Sequence, residues 1–529
     1  MSPLRTAALA GALALPLALG GFLLGERRGR DSARLFDQVL SYVDERFVDT
    51  LRTGVIYEKA ARGLVKELND PYSELFSPRQ LSRFRTQSTG RYGGLGMQIE
   101  QQEGNIVVVR VFAHTPAEAA GIIEGDRIVG IDTMSTRGWT SQQVSDVLIG
   151  TIGTQVRVRF ARPGVAQPIE QTFTRAEIHV PAVPFSVMLD RGIAYIPLQT
   201  FNETAADELR RALDAQAAAG AKSVILDLRG DPGGILDQAL LVASLWLPEG
   251  EPIASVRTRE GAPQIYASRG REHQTSLPLV VLVDGFSASA SEIVAGALQD
   301  HDRALLVGTR TYGKGLVQSV FGLDDGWALK LTTGKWYTPS ARSIQQDRTR
   351  HDPDQDDALA PADTAKKDTS LAARPTVRSQ GGRLLYGGGG ITPDVIVLPD
   401  TLTSAEQVFS RTLAPRASAV RAALYDIALA QKSSVRPGFT VTAAWRDDFY
   451  ARLQKDSVRI DRRQFDAAEP LIDRMLAAQI ARVAFGDSGA FRRSIPNDAQ
   501  LEKAIALLAP ARSQQDLFVA AQANPPAKR

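Results

Sequence analysis

The sequence predicts a multidomain α/β protein with helical regions at both ends. Three observations carry this. The chain has 529 residues, more than one hydrophobic core can serve, so two to four domains are expected. Short apolar runs alternate with amphipathic stretches over residues 180–400, the pattern of a buried sheet flanked by helices. Residues 31–84 and 404–508 instead carry apolar residues at helical spacing.

The first element is an uncharged, Ala- and Leu-rich stretch, Thr6–Gly25, followed by Glu26-Arg27-Arg28-Gly29-Arg30. Its length suits a secretory signal sequence or a membrane anchor, and residues 1–30 are assigned that role. A buried globular helix is the plainer alternative, disfavoured by the terminal position and the basic flanks. No Ala-x-Ala pattern stands just before Glu26. The three arginines favour a cytoplasmic C-terminal flank, which is in tension with export. The expectation is an extracytoplasmic, periplasmic protein with residues 6–25 as an inner-membrane anchor. No second apolar stretch of spanning length follows.

Residues 31–84 read as a helical N-terminal region. Phe36, Val39, Leu40, Val43 and Phe47 share one face, and a second helix over Val55–Leu68 ends at the turn Asn69-Asp70-Pro71-Tyr72. Residues 85–175 form a small β-rich unit with strands at Ile106–Phe112, Arg127–Ile131 and Val156–Phe160. The core, residues 176–400, has strands at Ser223–Leu228, Leu279–Val283, Ala304–Val307 and Ala328–Thr332. Its helices are Asp237–Leu247 and Ser291–Gln299. Gln345–Gly382 lacks periodicity and reads as a flexible surface insertion. The helical C-terminal region, 401–518, has Phe449, Leu453, Ile460, Leu471, Ile472, Leu476 and Val483 as expected buried positions. Residues 519–529 are expected to be a disordered tail.

Composition removes several kinds of chemistry. Hydrophobic residues at 43% and charged residues at 23% are ordinary for a globular protein. A net charge of +3 gives no pull toward nucleic acid. The absence of cysteine excludes thiol catalysis, disulfides and thiolate metal sites. None of the five histidines is spaced as in H-E-x-x-H. No metal and no cofactor is expected.

Two segments carry chemistry. Val283-Asp-Gly-Phe-Ser287-Ala-Ser289-Ala-Ser291-Glu292-Ile293 runs from a buried strand into small residues and then a helix. Small neighbours let a substrate backbone approach, and helix-start N–H groups stabilise an oxyanion. Alone, the segment is equally a helix cap. Gly308-Thr-Arg-Thr-Tyr-Gly313-Lys314-Gly315 nearly matches a phosphate loop, but Gly315 replaces the hydroxyl residue and Val317–Phe321 is strand-like. The nucleotide reading therefore falls. A Ser–His–Asp arrangement using His301 is also weighed, and the absence of a G-x-S-x-G elbow counts against it.

Taken together, Ser-Ala-Ser289-Ala-Ser-Glu and Tyr-Gly-Lys314-Gly-Leu-Val-Gln318, with Ser289 and Lys314 25 residues apart, resemble the carboxy-terminal processing peptidase family. Leu226-Asp-Leu-Arg-Gly-Asp-Pro-Gly233-Gly234, Tyr337-Thr-Pro-Ser-Ala-Arg-Ser-Ile and Gly387-Gly-Gly-Gly-Ile-Thr-Pro-Asp-Val extend the resemblance. It covers roughly residues 30–400. The resemblance implies a serine endopeptidase with a Clp-protease/crotonase-like α/β core. It assigns Ser289 as nucleophile, Lys314 as general base and Gln318 as the residue orienting the ammonium group. Ala290 with Gly233 or Gly234 would form the oxyanion hole. A lysine base must be neutral, roughly 3 pH units below its ordinary value of about 10.4, which amounts to about 4 kcal/mol. Desolvation by Tyr312, Leu316 and Val317 is the expected cause. Glu292 would raise that value, so it is expected to point elsewhere or to bond to backbone.

Gly93-Gly94-Leu95-Gly96-Met97 and Ala120-Gly-Ile-Ile-Glu-Gly125-Asp126-Arg-Ile128-Val-Gly-Ile-Asp132 resemble a PDZ domain. In that fold a peptide adds as a strand beside a helix, its carboxylate held by backbone N–H groups. The resemblance places Gly94, Leu95, Gly96 and Met97 in the carboxylate loop. It places Val144, Val147 and Leu148 along the groove, where they favour an apolar final side chain; simple packing of the PDZ core is the alternative for each. Protein C-termini are thus the expected partners, with the PDZ domain choosing tails and an empty PDZ domain blocking the active site. A catalytically silent PDZ scaffold is the alternative class, disfavoured because Ser289 and Lys314 are both present. The helical C-terminal region is a candidate surface for a homodimer or an adaptor protein.

Overall fold

The computed structural model describes residues 33–523, apart from 103, 163–164, 271–275, 347–373 and 456–457. The apolar segment Thr6–Gly25, most of the 345–382 insertion and residues 524–529 lie outside the described residues. The chain divides into two compact units, Met1–Leu81 with Gln318–Thr332, and Ser82–Val317 with Thr333–Arg529.

The first unit contains the helices 33–46 and Thr53–Lys66. Strand Glu74–Phe76 pairs antiparallel with the start of strand Ala328–Tyr337, Leu75 opposite Leu329. Arg62 stacks over Trp327 at 5.4 Å and donates to the Leu75 carbonyl at 3.1 Å. This strand corrects the all-helical reading of residues 31–84. Three residues recruited by a partner some 250 positions away leave no local periodicity to detect.

The second unit is built on a six-stranded sheet. Its order is Val187–Leu189, Ile193–Pro197, Ser223–Asp227, Leu279–Val283, Leu305–Gly308 and Val395–Ile396. The first pair is antiparallel and the rest are parallel. Parallel strands are covered on both faces, which is why they read as continuous Val, Ile and Leu. Alternate residues feed two cores. Val224, Leu226, Val281 and Leu306 pack with helices Ala205–Ala218, Leu236–Ala243 and Ala290–Asp300. Ile225, Val280, Leu282 and Val307 pack with Leu501, Leu508, Leu517 and Phe518.

That second face corrects the predicted tail. Helix Gln514–Ala523 continues past residue 518, and Phe518 is buried beneath the Arg383 guanidinium at 4.2 Å. The insertion is corrected at its end too: Thr376–Arg378 pairs antiparallel with Leu384–Tyr386.

The β-rich unit is an antiparallel sheet closed over two helices, Pro116–Ala119 and Ser141–Leu148. Its core includes Ile106, Val108, Ile131, Val158 and Phe160. Chain entry and exit run side by side as an antiparallel ribbon, Arg91–Gly94 with Ala176–His179, so the unit is an insertion into the core fold. In the helical C-terminal region Phe449, Leu453, Ile460, Ile472 and Leu476 are buried, with Leu471 and Val483 packed against them.

Helix Ala290–Asp300 is buried along its whole length, so its polar end needs an internal partner. Arg342, whose side chain has no exposure, pairs with Asp300 and donates to Gln299 Oε1 and to the Tyr386 carbonyl. Asp300 also accepts from the Ser340 N–H and hydroxyl. Removing the cation alone leaves a buried uncompensated charge. Arg342→Met is expected to lose about 3–5 kcal/mol of stability, read as a lower melting temperature. Adding Asp300→Asn should recover part of that loss; a double variant no more stable than the single one would refute the charge explanation.

Candidate active site

The parallel strands Ser223–Asp227, Leu279–Val283 and Leu305–Gly308 end on one edge of the sheet. Crevices at the carboxyl ends of such strands are where α/β folds place ligands. Three loops leave this edge, carrying Asp231 to Gly234, Ser287 to Ser291, and Thr311 to Gly315.

The two outer serines of the triplet are structural. Ser287 Oγ donates to the Leu228 carbonyl at 2.8 Å, and Ser291 Oγ donates to the Asp231 carbonyl at 2.9 Å. Both side chains are buried. Ser289, between them, is half-buried at the start of the helix. Its backbone sits at φ 54°, ψ −111°, a conformation costly for a residue with a Cβ and concentrated at functional turns. Asp284 braces the loop, its Oδ1 accepting the N–H groups of Gly230, Phe286 and Ser287 at 2.9–3.1 Å.

Glu292 joins this loop to the lysine loop. Its Oε2 accepts the Ser289 N–H at 2.8 Å and the Lys314 N–H at 2.9 Å. Its Oε1 accepts the Gly313 N–H at 2.7 Å and the Thr311 hydroxyl at 2.5 Å. The carboxyl is fully buried, and burial pushes it above the ordinary glutamate value while these donors pull it back. Glu292 therefore does bond to backbone, as expected, but to the backbones of both dyad candidates at once. Sequence reasoning saw only a residue to be kept away from the lysine.

The lysine loop is fixed from its other side. The Tyr312 N–H donates to the Ser287 carbonyl at 3.0 Å, and Trp336 Nε1 donates to the Lys314 carbonyl at 3.0 Å. A Cβ on Gly315 would stand 2.9 Å from the Gln345 nitrogen, and one on Gly313 2.8 Å from Gln346 Cβ. The glycines thus answer to close packing rather than to phosphate. A strand, Leu316–Gly322, follows instead of a helix. Gln318 lies on that strand in the first unit, its Nε2 donating to Thr332 Oγ1 at 3.5 Å. His301 is engaged away from the serine, with Nε2 bonded to the Pro252 carbonyl at 2.7 Å and Nδ1 near Gln380 Oε1 at 3.3 Å. That leaves no ring nitrogen for a Ser–His pair.

In the inserted unit, Gly94 to Met97 turn between two strands, with Gly96 at φ 85°. The Gly93, Leu95 and Gly96 carbonyls accept from the Gly150, Ala117 and Phe112 N–H groups. Val144 and Leu148 are buried with Leu95 and Met97, and Val147 is half-buried beside them. A cleft of about 450 Å³ opens on the opposite face of this sheet, between Glu100 and Arg127 and the helical residues Arg421, Tyr425 and Arg482. Burial there raises the Glu124 carboxyl. No residue of the dyad loops lines that cleft.

Comparison with known proteins defines the class. Residues 192–355 match the model of peptidase family S41, and residues 107–162 match a PDZ domain. The chain is 33% identical over 346 residues to the carboxy-terminal processing protease CtpA of Bacillus subtilis, covering 65% of this chain and 74% of that one. It is 36% identical over 314 residues to the carboxy-terminal-processing protease of Bartonella bacilliformis, covering 59% and 72%. The solved photosystem II D1 C-terminal processing protease aligns over 72% of this chain and 92% of its own, at 26% identity and a TM-score of 0.39. The protein is a serine-type peptidase carrying a PDZ domain. It belongs to the carboxy-terminal processing protease family.

Proposed function

We propose that the protein is an endopeptidase that selects protein substrates by their C-terminal tails and cuts them with a Ser289–Lys314 dyad. The observation that carries this is the single Glu292 oxygen bound to the backbone N–H of both residues. It joins the two loops that leave the neighbouring parallel strands Leu279–Val283 and Leu305–Gly308. In this mechanism neutral Lys314 takes the Ser289 hydroxyl proton as Oγ attacks the scissile carbonyl. Backbone N–H groups at the helix start hold the oxyanion. The lysine ammonium then protonates the leaving amine, and a water activated by Lys314 releases the acyl group. The parallel sheet with its nucleophile at a buried helix start supports a core of the Clp-protease/crotonase type.

The inserted PDZ domain is the tail reader in this proposal, and its glycine loop is the carboxylate-binding element. The apolar segment Thr6–Gly25 supports action outside the cytoplasm, in the periplasm, on an anchored enzyme. Among the described residues no helix is long and apolar enough to cross a membrane, so an anchor would be that segment.

The test is the full chain acting on one protein substrate with a free or an amidated C-terminus, with Ser289→Ala as the blank. Amidation is expected to raise KM about tenfold, the value of roughly 1.4 kcal/mol in carboxylate contacts, with kcat little changed. Equal KM for the two substrates would sink tail recognition. Cleavage by Ser289→Ala would sink the dyad.

A further inference from the structure

We propose that Asp231 is a positioning residue of the oxyanion hole: it holds the Gly233 amide, so that Gly234 N–H is the donor paired with Ala290 N–H. This rests on the acyl-transfer reading above.

The nucleophile loop and the glycine loop are each bonded so that one N–H remains. On the first, the Ser289 N–H is taken by Glu292 and the Ser291 N–H by the Ala288 carbonyl at 3.1 Å. The Ala290 N–H has no acceptor among the described residues. On the second, the Gly233 N–H is taken by Asp231 Oδ1 at 2.8 Å and the Ile235 N–H by the Phe201 carbonyl at 2.8 Å. The Gly234 N–H likewise has no acceptor among the described residues. Ala290 is buried, and buried backbone donors are nearly always satisfied, so its unpaired N–H points to a ligand oxygen. Gly234 is exposed, so its N–H is the donor on the facing loop that a ligand can reach.

Asp231 controls this arrangement from both sides. Its backbone carbonyl accepts the Ala288 N–H at 3.0 Å and the Ser291 hydroxyl at 2.9 Å, bracketing Ser289. Its carboxyl reaches forward two residues to Gly233. The glycines allow this closeness. A Cβ on Gly233, at φ 95°, would stand 2.6 Å from the Ala288 carbonyl oxygen and 2.8 Å from the Ala290 nitrogen. One on Gly234, at φ 154°, would stand 2.8 Å from the Phe201 carbonyl carbon. Further back, Arg229 ties the loop to Asp227 at 2.7 Å and Asp498 at 2.8 Å.

The arrangement costs stability. Asp231 has no exposure, and its Oδ2 is buried without a partner among the described residues. Burial pushes the carboxyl well above the ordinary range.

The experiment compares Asp231→Ala and Asp231→Asn in the full chain. It measures kcat and KM on a peptide substrate, and the affinity of a peptidyl boronate that forms a tetrahedral adduct on serine. Losing an oxyanion donor outright costs about 10²–10³ in kcat. For Asp231→Ala, which loosens one donor, a fall of about 30-fold is expected, with KM within about twofold and boronate affinity falling in parallel. Asp231→Asn keeps the acceptor and should restore most of both. Unchanged boronate affinity in Asp231→Ala would overturn the proposal, as would an asparagine variant no better than alanine. If the alanine variant does not fold, the asparagine variant decides: near-normal kcat supports the assignment, and a loss matching Gly234→Ala overturns it. Failure of the dyad itself looks different, since the boronate would then bind Ser289→Ala as tightly as the wild type.

Discussion

Lys314→Arg is expected to lose cleavage activity by about 10⁴-fold or more while keeping its fold, the scale seen when one member of a serine-hydrolase unit is removed. The substitution keeps the positive charge, so attraction for a substrate carboxylate or an oxyanion is unchanged. What it removes is the ability to be neutral. A guanidinium does not give up its proton under protein conditions, whereas an ammonium in a desolvated site does. Three contacts that fix the loop use the lysine backbone or its neighbours: Glu292 with the Lys314 N–H, Trp336 with the Lys314 carbonyl, and Glu292 with the Gly313 N–H. They survive the change, so the melting temperature should stay close to that of the wild type. Single-turnover cleavage of a tail-bearing substrate is the direct measurement. Activity within about tenfold of wild type would mean that the 314 side chain acts by charge alone and that the base lies elsewhere.

Much of the fold was legible because burial leaves periodic traces. The strand Leu279–Val283 and the strand Arg127–Ile131 coincide with their predicted limits. Helix Ala290–Asp300 differs from prediction by one residue at each end. What the sequence could not carry was pairing between distant segments. Glu74–Phe76 is a strand only because Ala328–Tyr337 is beside it. Helix Gln514–Ala523 is ordered because its apolar side chains cover one face of a sheet made some 200–300 residues earlier. The site shows the same division. The motifs exposed Ser289 and Lys314 as candidates through their small and glycine neighbours. They did not expose the polar frame, because Asp231 and Glu292 look like ordinary acidic residues until three-dimensional contacts show what each carboxyl accepts.

That frame makes Glu292→Gln the second severe substitution. Glutamine is nearly isosteric, but it replaces one of two acceptor oxygens with an NH₂ donor. Glu292 receives four donors: the N–H groups of Ser289, Gly313 and Lys314, and the Thr311 hydroxyl, which itself accepts from the Ile391 N–H. If the amide nitrogen takes the Oε2 place, it confronts the Ser289 and Lys314 N–H groups together. If it takes the Oε1 place, it confronts the Gly313 N–H, while the Thr311 hydroxyl can turn to accept from it. At least one buried donor is left unsatisfied in the second orientation and two in the first, at about 1–3 kcal/mol each. Part of that cost appears as stability and part as displacement of the dyad. A fall of about 10²-fold in kcat is expected, because misplacing reacting groups by about 1 Å costs that much.

The pH dependence separates this account from simple damage. Burial holds the folded-state carboxyl of Glu292 above its unfolded value. The folded protein therefore keeps a proton that the unfolded chain has lost, and the stabilising contribution is complete below the ordinary glutamate value of 4.5. It declines as pH rises through the raised folded-state value. On the proposed mechanism the working form is the ionised one, since only it accepts all four donors. On that mechanism the protein gives up stability to hold Ser289 and Lys314 together, a trade common at active sites. Melting temperatures from pH 4 to 8 should fall more steeply with pH in the wild type than in Glu292→Gln, which has no proton to lose. Parallel curves for the two proteins would show that Glu292 does not titrate in this range, and would leave its four donors as the sole basis of its role.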